Sequence, residues 1–390
     1  MRACGFRFSD PLKPMLKVIN VAGARPNFMK VAPIVAAMKR RSDEFQSILV
    51  HTGQHYDAAM SDAFFRDLEM PEPDVDLGVG SASHAVQTAG VIQAFEPYVI
   101  NEKPDWVVVV GDVNSTVACA LVCAKLGVKV AHVEAGLRSR DRTMPEEINR
   151  ILTDQIAELL LTPSPDANEN LRAEGIPEER IRFVGNIMID SLFAHVERSQ
   201  HSRVLSELNL QPRGYALLTL HRPSNVDEKG AFARILDALE EISRRERIIF
   251  PAHPRTRRMI DELGLTERTE NIRNLTLIDP LGYLDFLNLA SNAKLVLTDS
   301  GGIQEETTVL GIPCITLREN TERPITVEMG TNTLAGTDTE RIVALANRAL
   351  DNPPDQSTLR VPPLWDGKTA DRILDALSEP PAVAGRPTVV

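Results

Sequence analysis

Short apolar runs rich in β-branched residues alternate with helical patterns along most of the chain, and this alternation limits the possible folds most strongly. It is typical of parallel sheets with helices on both faces, and the continuously apolar strands fit burial on both sides. In the first half we predict strands at 16–22, 46–51, 106–110, 128–133 and 158–162. The helices between them are predicted near 26–41, 57–68, 84–101, 114–126, 146–157 and 166–174.

A second series of the same kind begins after a helical stretch at 187–208. We predict strands at 215–220, 247–251, 275–278, 295–298 and 313–317, with helices near 228–245, 255–263, 283–291 and 303–310. A chain of 390 residues suits two domains of ordinary size. We therefore expect two doubly wound, Rossmann-like α/β domains, at 15–190 and 191–379. The last helical pattern, 367–378, could pack back on the first domain, and 1–14 and 380–390 are expected to be flexible tails.

The composition excludes several classes of protein. No stretch reaches the roughly 18 apolar residues of a membrane span, and the first residues lack the apolar core of a secretory signal. The net charge of -11 argues against general binding to nucleic acids or membranes. The cysteines form no metal-ligand pattern, and Cys119 and Cys123 fit buried free thiols in a helix. We expect a cytoplasmic protein without a metal site.

Open parallel sheets bind ligands beyond the carboxyl ends of their strands, so the residues after each strand are the candidates for a site. After the first strand, Gly23 permits a tight turn, and Arg25 and Lys30 lie beside a helix N-terminus, which favours an anion. Taken alone, however, the motif fits two solvated surface cations better. The loop is not the GxGxxG fingerprint, which argues against a tightly bound NAD.

The residues after the second and third predicted strands each allow a structural and a functional interpretation. Gln54 and His55, in Thr-Gly-Gln-His-Tyr-Asp, could form a binding element or simply a turn with a helix cap. Asp112 follows the most apolar strand, where an aspartate is commonly an N-cap. The functional interpretation of Asp112 is a carboxylate with a tuned pKa that acts as acid or base.

Two glutamates follow in the same half. Glu134 ends an apolar strand, and a buried carboxylate is costly unless it is paired, so Arg138 is a possible structural partner. Thr143 and Glu146 have the spacing of a capping box at the start of a helix. Capping is the stronger interpretation of Glu146, although a catalytic role is compatible with it.

The strand ends of the second half carry cationic and phosphate-binding patterns. His221 follows a strand beside Arg222, and a structural role and a phosphate or general-acid role are both open for it. His253 and Arg255 form another cationic or polar strand end. The strand at 295–298 runs into Asp-Ser-Gly-Gly, which leaves backbone N–H groups open to phosphate oxygens. An ordinary helix cap is the alternative. The residues of interest there are Ser300, Gly301 and Gly302, then Glu306 as a ribose ligand, and finally Arg323 after the strand at 313–317.

Carboxylates, histidines and arginines thus occupy strand ends in both predicted domains, while the strand interiors stay apolar. This distribution is expected of a cleft between domains that binds an anionic, polyhydroxylated ligand.

Taken together these segments resemble the non-hydrolysing UDP-N-acetylglucosamine 2-epimerase family. The matching segments are GARPNFMKVAPI, TGQHYD, GDVNST, HVEAGLRS, PEEINR, VGNIMID, LLTLHRPSN, LTDSGGIQEE and TERPITVEMGT, in order from about 16 to 337. The resemblance implies a GT-B-like fold with an interdomain cleft, usually as a homodimer. It also implies interconversion of UDP-GlcNAc and UDP-ManNAc without a cofactor, by anti elimination of UDP and re-addition through a 2-acetamidoglucal, as a precursor supply for surface polysaccharide.

The resemblance also assigns roles to residues. Asp112, Glu134 and Glu146 would be the acid–base groups, and His221 would assist the departure of UDP. The UDP-binding set would be Arg25, Lys30, His253, Ser300, Gly301, Gly302, Glu306 and Arg323. Gln54 and His55 lie in the region where many relatives bind an activating second UDP-GlcNAc. The chain departs from the family at GARPN, often GTRPE, and at HRPSN, often HRREN. The alternatives are a 2-epimerase of a modified UDP-HexNAc and a GT-B glycosyltransferase that uses a UDP-sugar.

Overall fold

The computed structural model describes residues 15–53, 68–353 and 359–379, with only the backbone at Arg25 and Pro26. The first half folds into a seven-stranded sheet in the order β3-β2-β1-β4-β5-β6-β7, and every pair is parallel. The strands are β1 (Leu16–Ala22), β2 (Phe45–His51), β3 (Val75–Asp76), β4 (Trp106–Val110), β5 (Lys129–Val133), β6 (Leu159–Thr162) and β7 (Ile181–Phe183). The helices are α1 (Arg25–Arg40), α2 (His84–Glu102), α3 (Asn114–Leu126), α4 (Pro145–Ile156), α5 (Pro165–Ala173) and α6 (Ile187–Ser199), with a 3₁₀ turn at Glu178–Arg180.

The second half forms a six-stranded parallel sheet in the order β10-β9-β8-β11-β12-β13. Its strands are β8 (Ala216–Thr219), β9 (Ile248–Pro251), β10 (Leu275–Ile278), β11 (Leu295–Thr298), β12 (Cys314–Thr316) and β13 (Asn332–Leu334). The helices are α7 (Val204–Glu207), α8 (Pro223–Val226), α9 (Lys229–Ser243), α10 (Pro254–Glu262), α11 (Thr266–Asn271), α12 (Tyr283–Ser291), α13 (Gly301–Leu310), α14 (Ile325–Glu328), α15 (Thr339–Asp351) and α16 (Thr369–Ser378).

The two doubly wound sheets confirm the predicted fold class. All five residues of β4 are buried, as are all four of β11, because helices cover both faces of each sheet. The strands that the sequence did not reveal are β3, β7 and β13, which have only two or three residues and so carry no readable pattern. The helix predicted at 57–68 lies almost wholly outside the described residues, and so do the expected tails at 1–14 and 380–390. No helix in the described ranges is long and apolar enough to cross a membrane.

Helix α6 connects the two halves. It packs against α1 on one side and against α12 and α13 on the other. One cluster of buried apolar side chains therefore includes Met29 and Met188 together with Tyr283 and Leu287. The division at 190 falls within this helix, and we retain domains of 15–190 and 191–379 as a proposal.

The last helix, α16, packs on α1 and α6. Before it, the indole of Trp365 is buried and donates a hydrogen bond to the carbonyl of Pro163. At its start, the carboxylate of Asp190 accepts the backbone N–H groups of Thr369 at 3.1 Å and Ala370 at 2.8 Å. Asp190 thus supplies, from another helix, the acceptor that the first turn of α16 needs.

Replacing Asp190 by alanine should lower the free energy of unfolding by about 2 kcal/mol, because two N–H groups at a buried helix start would lose their acceptor. Urea denaturation measures the change. Asp371→Ala is the matched control, since Asp371 is 55% exposed and pairs with Arg40, itself 61% exposed. That control should cost less than about 0.5 kcal/mol. Equal losses in the two variants would contradict the assigned role of Asp190.

Candidate active site

The strand order reverses beside β1 in the first sheet and beside β8 in the second. At such a switch point the loops from neighbouring strands diverge and leave a crevice at the carboxyl ends. The loops concerned follow β1 and β4 in one half, and β8 and β11 in the other. Asp112, His221 and Ser300 lie on these loops, and the helices that follow two of the loops carry Arg25, Lys30, Gly301, Gly302 and Glu306. Glu134, Glu146, His253 and Arg323 lie on other segments.

Glu134, directly after β5, lies at the centre of the cluster. Lys30 of α1 donates a hydrogen bond to Oε2 of this carboxylate, and both side chains are buried. From the second half, Arg323 places Nη2 3.6 Å from Oε1, an oxygen that has no hydrogen-bond partner among the described residues. A buried carboxylate is thus held between two cations, one from each half of the molecule.

The backbone around this pair is unusual. Glu134 itself has φ +69°, in the left-handed region that non-glycine residues rarely adopt. Such conformations cost about 1–3 kcal/mol and persist where surrounding contacts enforce them. Gly111 has φ +65°, and a Cβ there would lie 2.9 Å from Nζ of Lys30. Glycine at 111 therefore allows Lys30 to reach Glu134.

Arg138 is not the partner of Glu134, although the sequence left that pairing open. Its guanidinium binds Asp154 at 2.8 Å and Glu174 at 2.7 Å. Between Glu134 and Arg138 the chain passes through two left-handed positions, Glu134 and Gly136, and these reverse its course. The two side chains consequently meet different partners.

Asp112, after β4, accepts a hydrogen bond of 2.6 Å from Arg150 of α4. Burial acts to raise the pKa of Asp112, but Arg150, Lys30 and Arg323 outweigh it and hold that pKa below its ordinary value. Asp112 is therefore ionised at neutral pH. The N-cap interpretation is wrong, because α3 begins at Asn114 and its cap position is Val113.

The capping box predicted for Thr143 and Glu146 is also wrong. Helix α4 begins at Pro145 with Met144 at the cap position, and the hydroxyl of Thr143 instead donates to Asp141 at 2.6 Å. Proline at 145 sets the helix start two residues later than Thr143, which breaks the required spacing. Glu146 lies half-buried in the first turn, where its charge acts on Arg222.

The neighbour of Glu146 is a structural residue that the sequence analysis missed. Glu147 is buried and accepts the backbone N–H groups of Ser139 and Arg140, each at 2.9 Å, and Arg150 at 2.7 Å. Burial acts to raise the pKa of Glu147, but these bonds hold it low. Glu147 therefore orients Arg150, which in turn holds Asp112. The sequence offered one signal for Glu147: it is the third residue of the helix that begins at Pro145, and acidic residues are favoured in a first turn.

In the second half, His221 is oriented by Asp299. Its Nδ1 lies 3.1 Å from Oδ1 of Asp299, and its side chain is 51% exposed whereas that of Asp299 is fully buried. Asp299 also accepts the backbone N–H of Arg222 at 2.9 Å. Burial acts to raise the pKa of Asp299, but His221 and the backbone donors hold it below the ordinary value. Asp299 is a second residue whose role the sequence analysis did not assign.

Arg323 links several carboxylates. Besides Glu134, it contacts Glu305 and Glu322, each at 2.7 Å. A Cβ at Gly301 would lie 2.5 Å from Nη1 of Arg323, so a side chain there would displace the guanidinium from its present position. Ser300 is the cap residue of α13, whose first N–H groups have no intrahelical acceptor. The start of α13 and Arg323 are therefore adjacent, as an anion site requires.

A cavity of about 260 Å³ adjoins the start of α13. Its lining includes His253, Gly302 and Glu306 from the proposed UDP-binding set, together with Met29, Tyr283 and Phe286. Burial and the neighbouring Glu305 raise the pKa of Glu306 to about 8. Burial also raises the pKa of Glu305 to about 7, against the opposing charge of Arg323. His253 is exposed and accepts the N–H of Arg255 at 3.3 Å, so it caps α10 as well.

Three of the predicted positions have no described side chain. Gln54 and His55 lie outside the described residues, and only the backbone of Arg25 is described. Among the described residues, no group of three or more His, Cys, Asp or Glu side chains could hold a metal ion.

The raised pKa of Glu306 predicts a pH-dependent penalty on stability. The unfolded chain releases this proton near pH 4.5 and the folded chain near pH 8, so the native state loses stability as the pH rises between these values. Glu306→Gln should therefore have a higher Tm than the wild type at pH 8 by several degrees, and the two should converge towards pH 5. Glu262→Gln, at a side chain 57% exposed, is the control. Parallel Tm curves for Glu306→Gln and wild type would exclude the penalty.

Comparison with known proteins supports the resemblance seen in the sequence. The family described as UDP-N-acetylglucosamine 2-epimerase matches residues 36–378. The UDP-N-acetylglucosamine 2-epimerase of Methanocaldococcus jannaschii is 41% identical over 368 residues, covering 93% of this chain and 99% of that protein. Its crystal structure in complex with UDP-GlcNAc and UDP has a TM-score of 0.86, with coverage of 93% and 100%.

Two further relatives bear on specificity. A UDP-N-acetylglucosamine 2-epimerase homolog of Methanococcus maripaludis is 46% identical over 344 residues, covering 88% of this chain and 94% of that protein. The UDP-2,3-diacetamido-2,3-dideoxy-D-glucuronate 2-epimerase of Pseudomonas aeruginosa is 40% identical over 338 residues, covering 86% and 92%. The family prediction and the expected GT-B-like fold are confirmed. The chain belongs to the UDP-N-acetylglucosamine 2-epimerase family.

Proposed function

We propose that this protein catalyses the reversible C2 epimerisation of UDP-N-acetylglucosamine to UDP-N-acetylmannosamine in the crevice between its two sheets. The observation that carries the proposal is the buried carboxylate of Glu134, held between Lys30 of the first half and Arg323 of the second. Acid–base groups and diphosphate-binding cations converge there. The M. jannaschii relative, similar over nearly its whole length, bears the same activity in its name.

UDP would occupy the second half of the crevice. The diphosphate would lie against Arg323, Lys30 and the start of α13 at Ser300, Gly301 and Gly302, since N–H groups and cations favour negative charge. The nucleoside would extend into the cavity beside Glu306, whose oxygens can accept ribose hydroxyl bonds. Arg25 and His253 would complete this set.

The reaction is redox-neutral and therefore needs no external oxidant or reductant. A base removes the proton from C2, a C1–C2 double bond forms, and the bond from C1 to the diphosphate oxygen breaks. UDP then returns to C1 of the glucal while C2 takes a proton on its opposite face. Asp112 is ionised and can act as an acceptor, and Glu134 and Glu146 supply the other proton-transfer positions. His221, oriented by Asp299, would donate to the departing diphosphate.

A modified UDP-HexNAc is the second candidate substrate, because the P. aeruginosa relative is named for a diacetamido-glucuronate sugar and is 40% identical.

Action as a homodimer is a further proposal. Helices α2, α3 and α4 pack in succession and expose Ile100, Leu121 and Leu152, and these apolar side chains suit contact with a second copy of this chain. A cytoplasmic location and supply of precursors for surface polysaccharide complete the proposal.

Incubation with UDP-GlcNAc in deuterated water, followed by NMR, tests the proposed function. Formation of UDP-ManNAc with deuterium at C2 and little free UDP is the expected result. Stoichiometric release of UDP would favour hydrolysis, and the absence of exchange without an added acceptor would favour a glycosyltransferase. Parallel incubation with a UDP-diacetamido-glucuronate separates the two substrate classes.

Asp112→Asn and Glu134→Gln should each lower turnover by about 10²-fold or more, because each removes a proton acceptor while keeping the shape of the side chain. The rate of deuterium incorporation at C2 measures the effect. Glu178→Gln is the matched control, since Glu178 is 65% exposed and pairs with Arg172 on the surface. Near-normal turnover in both site variants would contradict the acid–base assignment.

A further inference from the structure

We propose that His132 and Asp154 form a positioning pair that fixes the two loops carrying Asp112 and Glu134. The inference rests on the proposed function, and it assigns a role to two buried residues that do not line the crevice. His132 lies on β5 and Asp154 on α4, and both side chains are fully buried.

One nitrogen of His132 holds the first loop. Its Nε2 lies 2.8 Å from the carbonyl oxygen of Gly111, the residue directly before Asp112. A carbonyl can only accept, so Nε2 carries a proton and donates it, and Nδ1 likewise donates to the carboxylate of Asp154. This hydrogen bond fixes the peptide at the start of the Asp112 loop relative to β5.

The other nitrogen reaches the second loop through Asp154. Nδ1 of His132 lies 2.7 Å from Oδ1 of Asp154, and Oδ2 of Asp154 accepts the N–H of Gly136 at 3.1 Å. Gly136 is two residues after Glu134. Burial acts to raise the pKa of Asp154, but His132 and Arg138 outweigh it and keep Asp154 ionised. One continuous path of hydrogen bonds therefore runs from Gly111 through the imidazole and the carboxylate to Gly136.

Both loops need such fixation because their backbones are left-handed at the attachment points. Gly111 has φ +65° and Gly136 has φ +82°, and Glu134 has φ +69°. Glycine permits a left-handed backbone without selecting it, and glutamate disfavours it, so tertiary hydrogen bonds are needed to fix these conformations. An apolar pair in the same place would avoid the cost of burying charge, but it could not bond to either loop.

Two substitutions of His132 separate its two bonds. In His132→Gln the amide nitrogen takes the place of Nε2 and can still donate to Gly111. In His132→Asn it takes the place of Nδ1, so it can still meet Asp154 but leaves the Gly111 carbonyl without its donor. We expect kcat to stay within about fivefold of wild type in His132→Gln and to fall by about 10²-fold in His132→Asn, with KM changed less than about threefold in each.

Val130→Ala is the control for lost stability, because Val130 is a fully buried residue of the same strand and its substitution touches neither loop. Its kcat should remain near wild type even where its Tm falls as far as that of His132→Asn. A second readout is amide hydrogen exchange, which should accelerate in the segment 110–116 of His132→Asn alone, because that variant loses the donor to Gly111 and keeps the contact with Asp154. Equal loss of kcat in His132→Gln and His132→Asn, or in Val130→Ala, would overturn the proposal, as would unchanged exchange.

The two hypotheses fail in distinguishable ways. A wild-type protein that forms no UDP-ManNAc refutes the proposed function. The exchange measurement, together with calorimetric binding of UDP to the same variants, still tests whether His132 fixes the loops. UDP affinity should stay within about threefold of wild type, since the pair acts on loops of the first half.

Discussion

Glu134 imposes the constraint on which much of the crevice depends. An ionised carboxylate taken out of water loses several kcal/mol of solvation, and only well-placed cations restore it. Lys30 comes from the first half and Arg323 from the second, so the pairing of Glu134 requires both halves to meet. The same requirement explains two glycines. A Cβ at Gly111 would obstruct Lys30, and one at Gly301 would obstruct Arg323.

Around this centre Asp112 and His221 each have a partner that orients the side chain. Glu147 fixes Arg150, which holds Asp112, and Asp299 fixes the ring of His221. The orienting residues are more buried than the groups they orient. The more exposed group can therefore contact a ligand, while the position of the buried group is fixed by the packing of the sheet and helices around it. Groups held in this way need little reorganisation when a reaction begins.

The sequence predicted the architecture and the location of the site for one physical reason. In a parallel sheet all strand ends lie along one edge, so a local pattern of polar residues after apolar strands implies a shared location. Which residues pair could not be obtained in this way. Glu134 binds Lys30, 104 positions earlier, instead of Arg138, four positions later, because the chain turns left-handed at Glu134. No residue type signals that turn, since glutamate does not favour it.

The capping box shows the same limit at closer range. The spacing of Thr143 and Glu146 was correct for a cap, but Pro145 set the start of the helix and left the hydroxyl to Asp141. Distinguishing Glu146 from Glu147 needed the positions of Ser139 and Arg140, whose N–H groups only Glu147 reaches. A sequence pattern indicates which contacts a residue type can form, whereas the three-dimensional packing determines which of two neighbouring residues forms them.

The charge balance of the crevice limits how an anion can enter. Two cations of the cluster are already engaged, since Arg323 contacts the carboxylates of Glu134, Glu305 and Glu322, and Lys30 also contacts that of Glu134. A diphosphate must therefore share Arg323 with groups of its own sign. Glu305 is the carboxylate best able to yield, because burial raises its pKa to about 7 and protonation removes its charge with little cost at neutral pH. Arg323 can then turn its charge to the ligand while Glu322, surrounded by arginines and with a pKa well below its usual range, keeps the guanidinium in place.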